Sequence, residues 1–455
     1  MKKLKFFKWR NVTIDQMVER QKTLFCKGYN YSLRNKFLFL SHAFIARCLG
    51  RDKGVATFNA NLLKKVLGDV YTEMIATLVS LGLIKKGFYT STTSTSYSLV
   101  DMDVTLVETA NKKVIEYNKK MKKLLSEYLD SKVTEYSYTL PDSLRNPYRD
   151  ALKSITLDVG GALDYVSSSS YYIEAQRQYR YYRTETFNDD SCEVRTDMNH
   201  RLYSKITSFP NDLLGYTNIS YELDCANCHP LLFAIFLNYV YHSTYNSIYN
   251  DLYTPSNIDH YVSEILSKTF SDSELHGLKE MYNAKNSIPD DVINYIRLVS
   301  EGRFWDVILS QYDSEDRKSI KKKLFAEVFY SKSTSVYIRD RNYYVVGERK
   351  YALDFKQNFP NVWKIIVEVK RVGRQKGSRT FLPNYMMKLE SRIFHSILQE
   401  CYNSGINNVA SIHDAIVVVG SKDASTCDRI RDIMMKSFSQ YGLSPTIKIS
   451  KLSII

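Results

Sequence analysis

Apolar positions in the first hundred residues repeat at helical spacing in three successive segments. These segments are Phe37–Leu49, Asn61–Leu67 and Tyr71–Leu81. After a Ser/Thr-rich turn, Ser96–Val100 alternates apolar and polar side chains as a strand does. Three helices followed by a hairpin resemble a winged-helix domain, whose third helix usually enters a DNA groove. We therefore predict a winged-helix-like, nucleic-acid-binding domain over residues 1–103, with Lys64 and Lys65 as candidate nucleic-acid contacts. A helical subdomain that binds protein is the alternative.

The next hundred residues are predicted to be helical. Val104–Asp130 has the pattern of one long polar helix rich in lysine, and Pro141–Thr184 also favours helices. Residues 104–200 are thus predicted to form a helical region.

An acid is predicted at the end of a strand in the second half of the chain. Ile219, Tyr221 and Leu223 alternate as in a strand, Asp224 follows them, and an apolar helix comes next. A carboxylate at a strand end can face a cleft and provides the hard oxygen ligand that Mg²⁺ prefers. A helix-capping aspartate is the alternative for such a residue.

Two further segments are candidates for the same chemistry. Arg317, Lys321, Phe325 and Phe329 recur every fourth residue, so on a helix they share one face. Two cations and two aromatic rings on one face suit a triphosphate and a base, although an amphipathic helix with a basic outer face has the same pattern. Near the C-terminus, two apolar strands flank His413-Asp414 and predict a hairpin whose turn carries an acid.

The order of the three segments resembles motifs A, B and C of family A DNA polymerases and single-subunit phage-type RNA polymerases. The resemblance covers roughly residues 201–455 and implies an α/β (α+β) right-hand fold with palm, fingers and thumb. The palm would combine 201–240 with 380–455, the fingers would be 241–379, and the thumb would be the helical region 104–200.

The resemblance also implies a role for individual residues. Asp224 and Asp414 would hold two Mg²⁺ ions, for which Mn²⁺ can substitute, and Lys321 and Arg317 would act on the triphosphate. The remaining implied contacts are nucleotide-binding Phe325, Phe329, Tyr330, His229 and Lys322, and nucleic-acid-binding Arg201, His413 and Asn384.

Two points stay open within this resemblance. Motif B fits Arg317, Lys321, Phe325 and Phe329, but Phe329 replaces the usual tyrosine. A register shifted by one instead uses Lys318, Lys322, Ala326 and Tyr330. His229 is bulky at the position where DNA polymerases have glutamate and RNA polymerases glycine, which favours deoxynucleotides, whereas Pro383-Asn384-Tyr385 resembles the RNA polymerases.

Composition agrees with a polyanionic partner. Lys and Arg number 63 against 49 Asp and Glu, and the formal net charge is +14. Seven scattered cysteines argue against a disulfide framework, and no apolar run is long enough for a signal peptide or a membrane span. We expect a cytoplasmic protein.

The sequence as a whole favours a DNA polymerase without proofreading that acts in replication of a phage, plasmid or other mobile element. An RNA polymerase, a primer-synthesising enzyme or a terminal transferase is one alternative. A non-catalytic winged-helix replication initiator is another. Cys225-Ala226-Asn227-Cys228-His229 matches the haem-attachment pattern, but that attachment requires export, and no second cysteine pair has zinc-ligand spacing.

Overall fold

The chain is a mixed α/β protein in which helices predominate and the strands form small antiparallel sheets. The structure, a computed structural model, describes residues 4–26, 31–50, 55–87, 95–133, 140–170, 172–189, 194–197, 199–241, 276, 280, 288–312, 316–331, 335–338, 343–346, 349–375, 380–420 and 423–452.

The chain divides into two compact units. The first comprises Met1–Ser137, Thr156–Ser191 and Phe209–Thr217, and the second comprises Tyr138–Ile155, Cys192–Ser208 and Asn218–Ile455. Each unit is therefore assembled from several separate pieces of chain. These boundaries differ from the predicted ones at residues 103 and 200.

Helices and two small sheets form the first unit. Its helices are α1 (Ile14–Phe25), α2 (Tyr31–Leu49), α3 (Ala60–Leu67), α4 (Tyr71–Ser80), α5 (Lys112–Val133), α7 (Val159–Ser168) and α8 (Glu174–Thr186). Its strands are β1 (Leu4–Trp9), β2 (Val55–Phe58), β3 (Ile84–Lys86), β4 (Thr95–Leu99) and β5 (Val104–Thr109).

The order α2-β2-α3-α4-β3-β4 confirms the three helices and the hairpin strands that were predicted here. The three strands form one antiparallel sheet in the order β2-β4-β3. α3 and α4 are followed by Gly68 and Gly82, both with positive φ, a conformation that glycine adopts without steric cost. Aromatic and aliphatic side chains such as Phe37, Phe44 and Leu78 fill the core beneath the sheet.

The prediction of one long helix from Val104 is wrong at its start. Residues Val104–Thr109 form β5, which pairs antiparallel with β1 along its whole length. The helix α5 begins only at Lys112. β5 places Val104 in the core beside β1, so tertiary pairing has overridden the local helical pattern. This pairing also explains why the first unit continues beyond residue 103.

The second unit is built around a four-stranded sheet. The strands of the second unit as a whole are β6 (Arg195–Thr196), β7 (Leu202–Tyr203), β8 (Ile219–Cys225), β9 (Ser335–Ile338), β10 (Tyr343–Val346), β11 (Val409–Ile412), β12 (Ala415–Val419) and β13 (Ile447–Lys451). Its helices are α6 (Asp142–Ser154), α9 (Cys228–Val240), α10 (Asp290–Ser300), α11 (Phe304–Leu309), α12 (Arg317–Leu324), α13 (Lys350–Asn358), α14 (Pro360–Gln375), α15 (Phe381–Asn403) and α16 (Ala424–Ser439).

The four-stranded sheet has the order β11-β12-β8-β13, and every neighbouring pair is antiparallel. The predicted strand before Asp224 and the predicted hairpin around His413-Asp414 are both confirmed. Every residue of the apolar helix α9 that follows β8 is buried, so the end of β8 is anchored in the core.

Much of the predicted fingers region, 241–379, lies outside the described residues, namely 242–275, 277–279, 281–287, 313–315, 332–334, 339–342, 347–348 and 376–379. The described helices of that region, α10 to α14, belong to the second unit. Among the helices that the structure describes, none combines the length and apolar character needed to cross a membrane.

Candidate active site

A pocket of about 340 Å³ opens at one end of the four-stranded sheet, within the second unit. It is lined by Asp224, Cys225, Ala226, Asn227, Cys228, His229, Gly302, Trp305, Asp306, Arg317, Lys321, Phe325, Tyr330, Asp414 and Lys448. Seven of the predicted site residues are in this list, from all three of the sequence segments.

Strand pairing brings the two predicted acids together. Asp224 is the penultimate residue of β8 and lies opposite Ala415 at the start of β12. The backbone N–H of Cys225 donates to the carbonyl oxygen of Asp414 at 3.2 Å. His413 has a φ of 54° in the tight turn that presents Asp414. Two residues far apart in the sequence thus occupy neighbouring positions in the lining of one pocket.

Ionising the carboxyl groups of Asp224 and Asp414 costs electrostatic free energy. Burial raises the pKa of Asp224, and the charge of Asp414 raises it further, while Lys448 and Lys321 act in the opposite direction. Burial also raises the pKa of Asp414, and Glu390 adds to this effect. Ionising both acids is therefore unfavourable in the protein alone, and a bound cation would offset that cost.

The donor set fits Mg²⁺ in the manner usual for phosphate chemistry. Among the described residues, no group of three or more His, Cys, Asp and Glu side chains is arranged to hold a metal. Mg²⁺ is commonly held by one or two carboxylates together with substrate phosphates and water. Asp224 and Asp414 would supply those carboxylates.

Cations from α12 line the pocket near the acids. Arg317 pairs with Asp306 of α11, and the Lys321 ammonium lies 5.2 Å from the centre of the Trp305 ring. Burial lowers the pKa of Lys321, and the neighbouring Arg317 and Lys448 lower it further. This accumulation of positive charge favours an anionic ligand.

The helix carrying these cations does not keep α-helical spacing to its end. Phe325–Phe329 form a π-helical turn, in which the N–H of Tyr330 donates to the carbonyl of Phe325 at 2.8 Å. The additional residue turns Tyr330 toward the pocket, while Phe329 is fully buried against Phe233. The predicted uniform four-residue spacing is wrong here. The observed row combines Arg317, Lys321 and Phe325 of one register with Tyr330 of the other.

A buried polar network adjoins this turn. Glu390 of α15 is 1% exposed and accepts hydrogen bonds from Arg201 at 2.5 Å and from His229 at 2.6 Å. The other ring nitrogen of His229, Nδ1, hydrogen-bonds the Tyr330 hydroxyl. Interactions with His229 and Arg201 hold the pKa of Glu390 below its ordinary value despite burial. Arg201, predicted to contact nucleic acid, uses its guanidinium in this network, and the network fixes His229 and Tyr330 relative to each other.

Several predicted residues lie outside the lining of the pocket. Phe329 is in the core, and Lys322 is exposed on the outer face of α12. His413 is exposed at the hairpin turn, and Asn384 donates to the Thr380 hydroxyl at 3.2 Å. In the first unit, exposed Lys64 and Lys65 lie on α3, and Lys64 pairs with Asp69 at 2.7 Å.

Eight of the lining residues are not among the predicted site residues, and the most informative of these are Lys448, Asn227 and Trp305. Lys448 lies opposite Asp224 in the register of β13 and β8, and the alternation of Ile447 and Ile449 with Lys448 and Ser450 was the available signal for that strand. Asn227 is 9% exposed with a positive φ of 58°, and its Nδ2 has no hydrogen-bond partner among the described residues. The Trp305 ring contacts the Phe325 ring at a tilt of 58°, with ring centres 5.1 Å apart, and no local pattern marks it.

No protein-family model matches this chain, and no curated protein sequence matches it.

Proposed function

We propose that the protein is a template-directed nucleotidyltransferase of the family A polymerase kind. The observation that carries this proposal is the single pocket in which Asp224 and Asp414 meet Arg317, Lys321 and Phe325. Phosphoryl transfer depends mainly on alignment and neutralisation of charge, and this pocket combines a pair of acids with a pair of cations.

Each group would have a defined task. Asp224 and Asp414 would hold Mg²⁺, which when bound activates the attacking hydroxyl and neutralises the phosphates. Lys321 and Arg317 would bind the triphosphate, and the ring of Phe325 would stack on the incoming base. The ion pair between Arg317 and Asp306 would exchange for the pair between Arg317 and a phosphate.

We propose deoxynucleotides as the preferred substrates. The His229 ring lies 5.6 Å from the Tyr330 ring, and the two polar groups are hydrogen-bonded to each other. This pair is bulky, and the hydrogen bond from His229 to Glu390 fixes its position. A bulky, fixed pair supports exclusion of a 2′-hydroxyl. An RNA polymerase would require the pair to open.

We also propose that the first unit contains a winged-helix-like domain that binds the template. Support comes from the order α2-β2-α3-α4-β3-β4 and the sheet order β2-β4-β3. α4, the expected groove-reading helix, has no Lys or Arg. It packs on α1, where Arg20 donates to Ser80 and Gln21 donates to Glu73, each at 3.2 Å. Basic contacts would therefore come from α3 and bind phosphate rather than bases.

The decisive experiment offers primed and unprimed templates with dNTPs or NTPs and Mg²⁺. We expect extension of a primed DNA template with dNTPs that is lost in Asp224→Ala and in Asp414→Ala. No extension by the wild type on any substrate, or undiminished extension by both variants, contradicts the proposal. Extension with NTPs alone instead supports an RNA polymerase, and DNA binding without incorporation supports a replication initiator.

A further inference from the structure

The π turn Phe325–Phe329 is held by a buried lysine that the chemistry described above does not use. Lys370 of α14 is 9% exposed, and its ammonium donates to the carbonyl oxygen of Val328 and to the Ser331 hydroxyl, the latter at 2.8 Å. Val328 is inside the turn and Ser331 follows it. Lys370 therefore binds the two ends of the segment that carries Tyr330.

Hydrogen bonds of two further side chains stabilise the same turn. The Ser331 hydroxyl donates to the carbonyl of Glu327 at 2.8 Å. The Glu327 carboxylate accepts from the backbone N–H groups of Tyr351 and Ala352, at 3.0 and 3.3 Å, at the beginning of α13. The last carbonyls of a helix lack partners within the helix, and here Lys370 and Ser331 supply them.

Burying the amine of Lys370 costs desolvation free energy. Both groups that it contacts in the described part of the chain are uncharged oxygens. Burial lowers the pKa of Lys370 to about 7, and Arg349 adds to this effect. An apolar side chain of similar length would avoid that desolvation, so packing alone does not account for an amine here. A hydrogen-bond donor for the last carbonyls of a helix does account for it.

We propose that Lys370 is a positioning residue for nucleotide binding: by holding the carbonyl of Val328 and the hydroxyl of Ser331, it maintains the π turn that directs Phe325 and Tyr330 into the pocket. The proposal rests on the nucleotide-binding function proposed above. Lys370 is absent from the lining of the pocket, so its effect on a substrate passes through the turn.

The chain offers a matched control in Lys205. This lysine is 7% exposed, and its ammonium donates to the carbonyl of Ile155 at 2.9 Å, outside the pocket and the π turn. Lys370→Met and Lys205→Met each remove one buried amine and its carbonyl contact. Both variants are expected to lose stability, and only Lys370→Met is expected to change the site.

The first measurement does not require activity. Amide hydrogen exchange of a peptide spanning residues 325–331 reports on the N–H of Tyr330, which donates to Phe325 within the turn. We expect faster exchange in Lys370→Met than in Lys205→Met under conditions where both are folded. Equal exchange in the two variants overturns the proposal.

The second measurement is steady-state primer extension. We expect Lys370→Met to raise KM for the nucleotide about tenfold with a smaller change in kcat, and Lys370→Arg to restore part of the loss. Lys205→Met should leave KM near that of the wild type. An unchanged KM in Lys370→Met, in an active enzyme, also overturns the proposal.

Deleting the exposed Ala326 tests the mechanism directly. The deletion removes the additional residue, so Tyr330 would follow Phe325 at ordinary α-helical spacing without a π turn. In the deletion background Lys370→Met should then raise KM much less than tenfold. An effect as large as in the full-length chain contradicts action through the turn. If the wild type neither binds nor incorporates nucleotides, the proposed function fails, while the exchange measurement still decides whether Lys370 holds the turn.

Discussion

The two compact units differ in how they treat buried charge. Every buried Lys or Glu that the structure describes belongs to the second unit: Lys205, Lys370 and Glu390. In the first unit the described buried polar residues are uncharged types or histidine, such as Gln21, Ser41 and His42. The first unit thus has an ordinary apolar core, whereas the second keeps ionisable groups out of water, and two of these groups, Glu390 and Lys370, contact residues of the pocket or of the turn beside it.

This difference separates folding from chemistry. Removing an ionisable group from water costs free energy unless it is paired, so such groups persist where positioned charge is required. The pairs in the second unit lie close to the pocket, since Glu390 holds His229 and Lys370 holds the turn that carries Tyr330. The comparison predicts that mutations of charged residues have large effects in the second unit and small ones in the first.

The largest effect is expected at the paired acids. Asp224→Asn and Asp414→Asn should each reduce primer extension by about 10³-fold or more, because each removes half of the proposed metal site. Neither variant should unfold at a lower temperature than the wild type when Mg²⁺ is absent, since burial and Asp414 already raise the pKa of Asp224. Extension kinetics and thermal unfolding check the two parts.

Glu222→Gln is the matched control for the paired acids. Glu222 is two residues before Asp224 on β8, and burial together with Asp224 raises its pKa too. It is not among the residues that line the pocket. An equal loss of activity in Glu222→Gln would mean that general negative charge on this face, rather than the pair of acids, supports the reaction.

The second largest effect is expected at Glu390. Glu390 is 1% exposed, and Glu390→Gln leaves Arg201 without its carboxylate partner. Removing one partner of a buried ion pair lowers the free energy of unfolding by about 3–5 kcal/mol. Chemical denaturation should show this loss, while Glu400→Gln, at an exposed position of α15, should change the free energy of unfolding by less than about 0.5 kcal/mol. Similar values for the two variants would remove the contrast between the units.

The sequence predicted the local elements of both units better than their assembly. Asp224 at the end of its strand, the hairpin around Asp414 and the three helices predicted between residues 37 and 81 were predicted correctly, because each depends on short-range periodicity. The helix Ile14–Phe25 was not predicted. The strand Val104–Thr109 was missed because its pairing with β1 is a long-range interaction.

The candidate site was predictable in part for the same reason. The residues on α12 were predicted from four-residue spacing, but one additional residue in the π turn exchanges Phe329 for Tyr330. Nothing in the local pattern marks that turn, because its support comes from Lys370 on another helix. The roles of Glu390 and Lys448 also depend on contacts between distant segments.

A smaller effect is expected from pH at His395, which lies in α15 of the second unit. Burial lowers the pKa of His395 to about 4 from an ordinary value of 6.5. Between those values the unfolded chain binds more protons, so stability falls as pH falls through this window. The loss should reach about 2 kcal/mol at pH 5 relative to pH 7.

Denaturant titrations at pH 7 and pH 5 measure this loss. His395→Phe should remove most of the difference between the two pH values, whereas His276→Leu, at a position where the histidine side chain is 71% exposed, should retain it. A wild-type stability that is equal at both pH values would show that the buried imidazole does not resist protonation.

The smallest effect is expected in the first unit, where charge is at the surface. The double variant Lys64→Ala, Lys65→Ala should weaken binding to duplex DNA by about three- to tenfold and reduce the dependence of binding on salt by about one to two phosphate contacts. Stability should stay within about 0.5 kcal/mol of the wild type, because both side chains are exposed. At saturating DNA the rate of extension should be unchanged.

The double variant Lys112→Ala, Lys113→Ala removes the same charge from α5 and is the matched control. Equal losses of DNA affinity in the two double variants would mean that the first unit contributes to DNA binding only through its net charge. A loss confined to the Lys64, Lys65 variant would instead assign the DNA contact to α3.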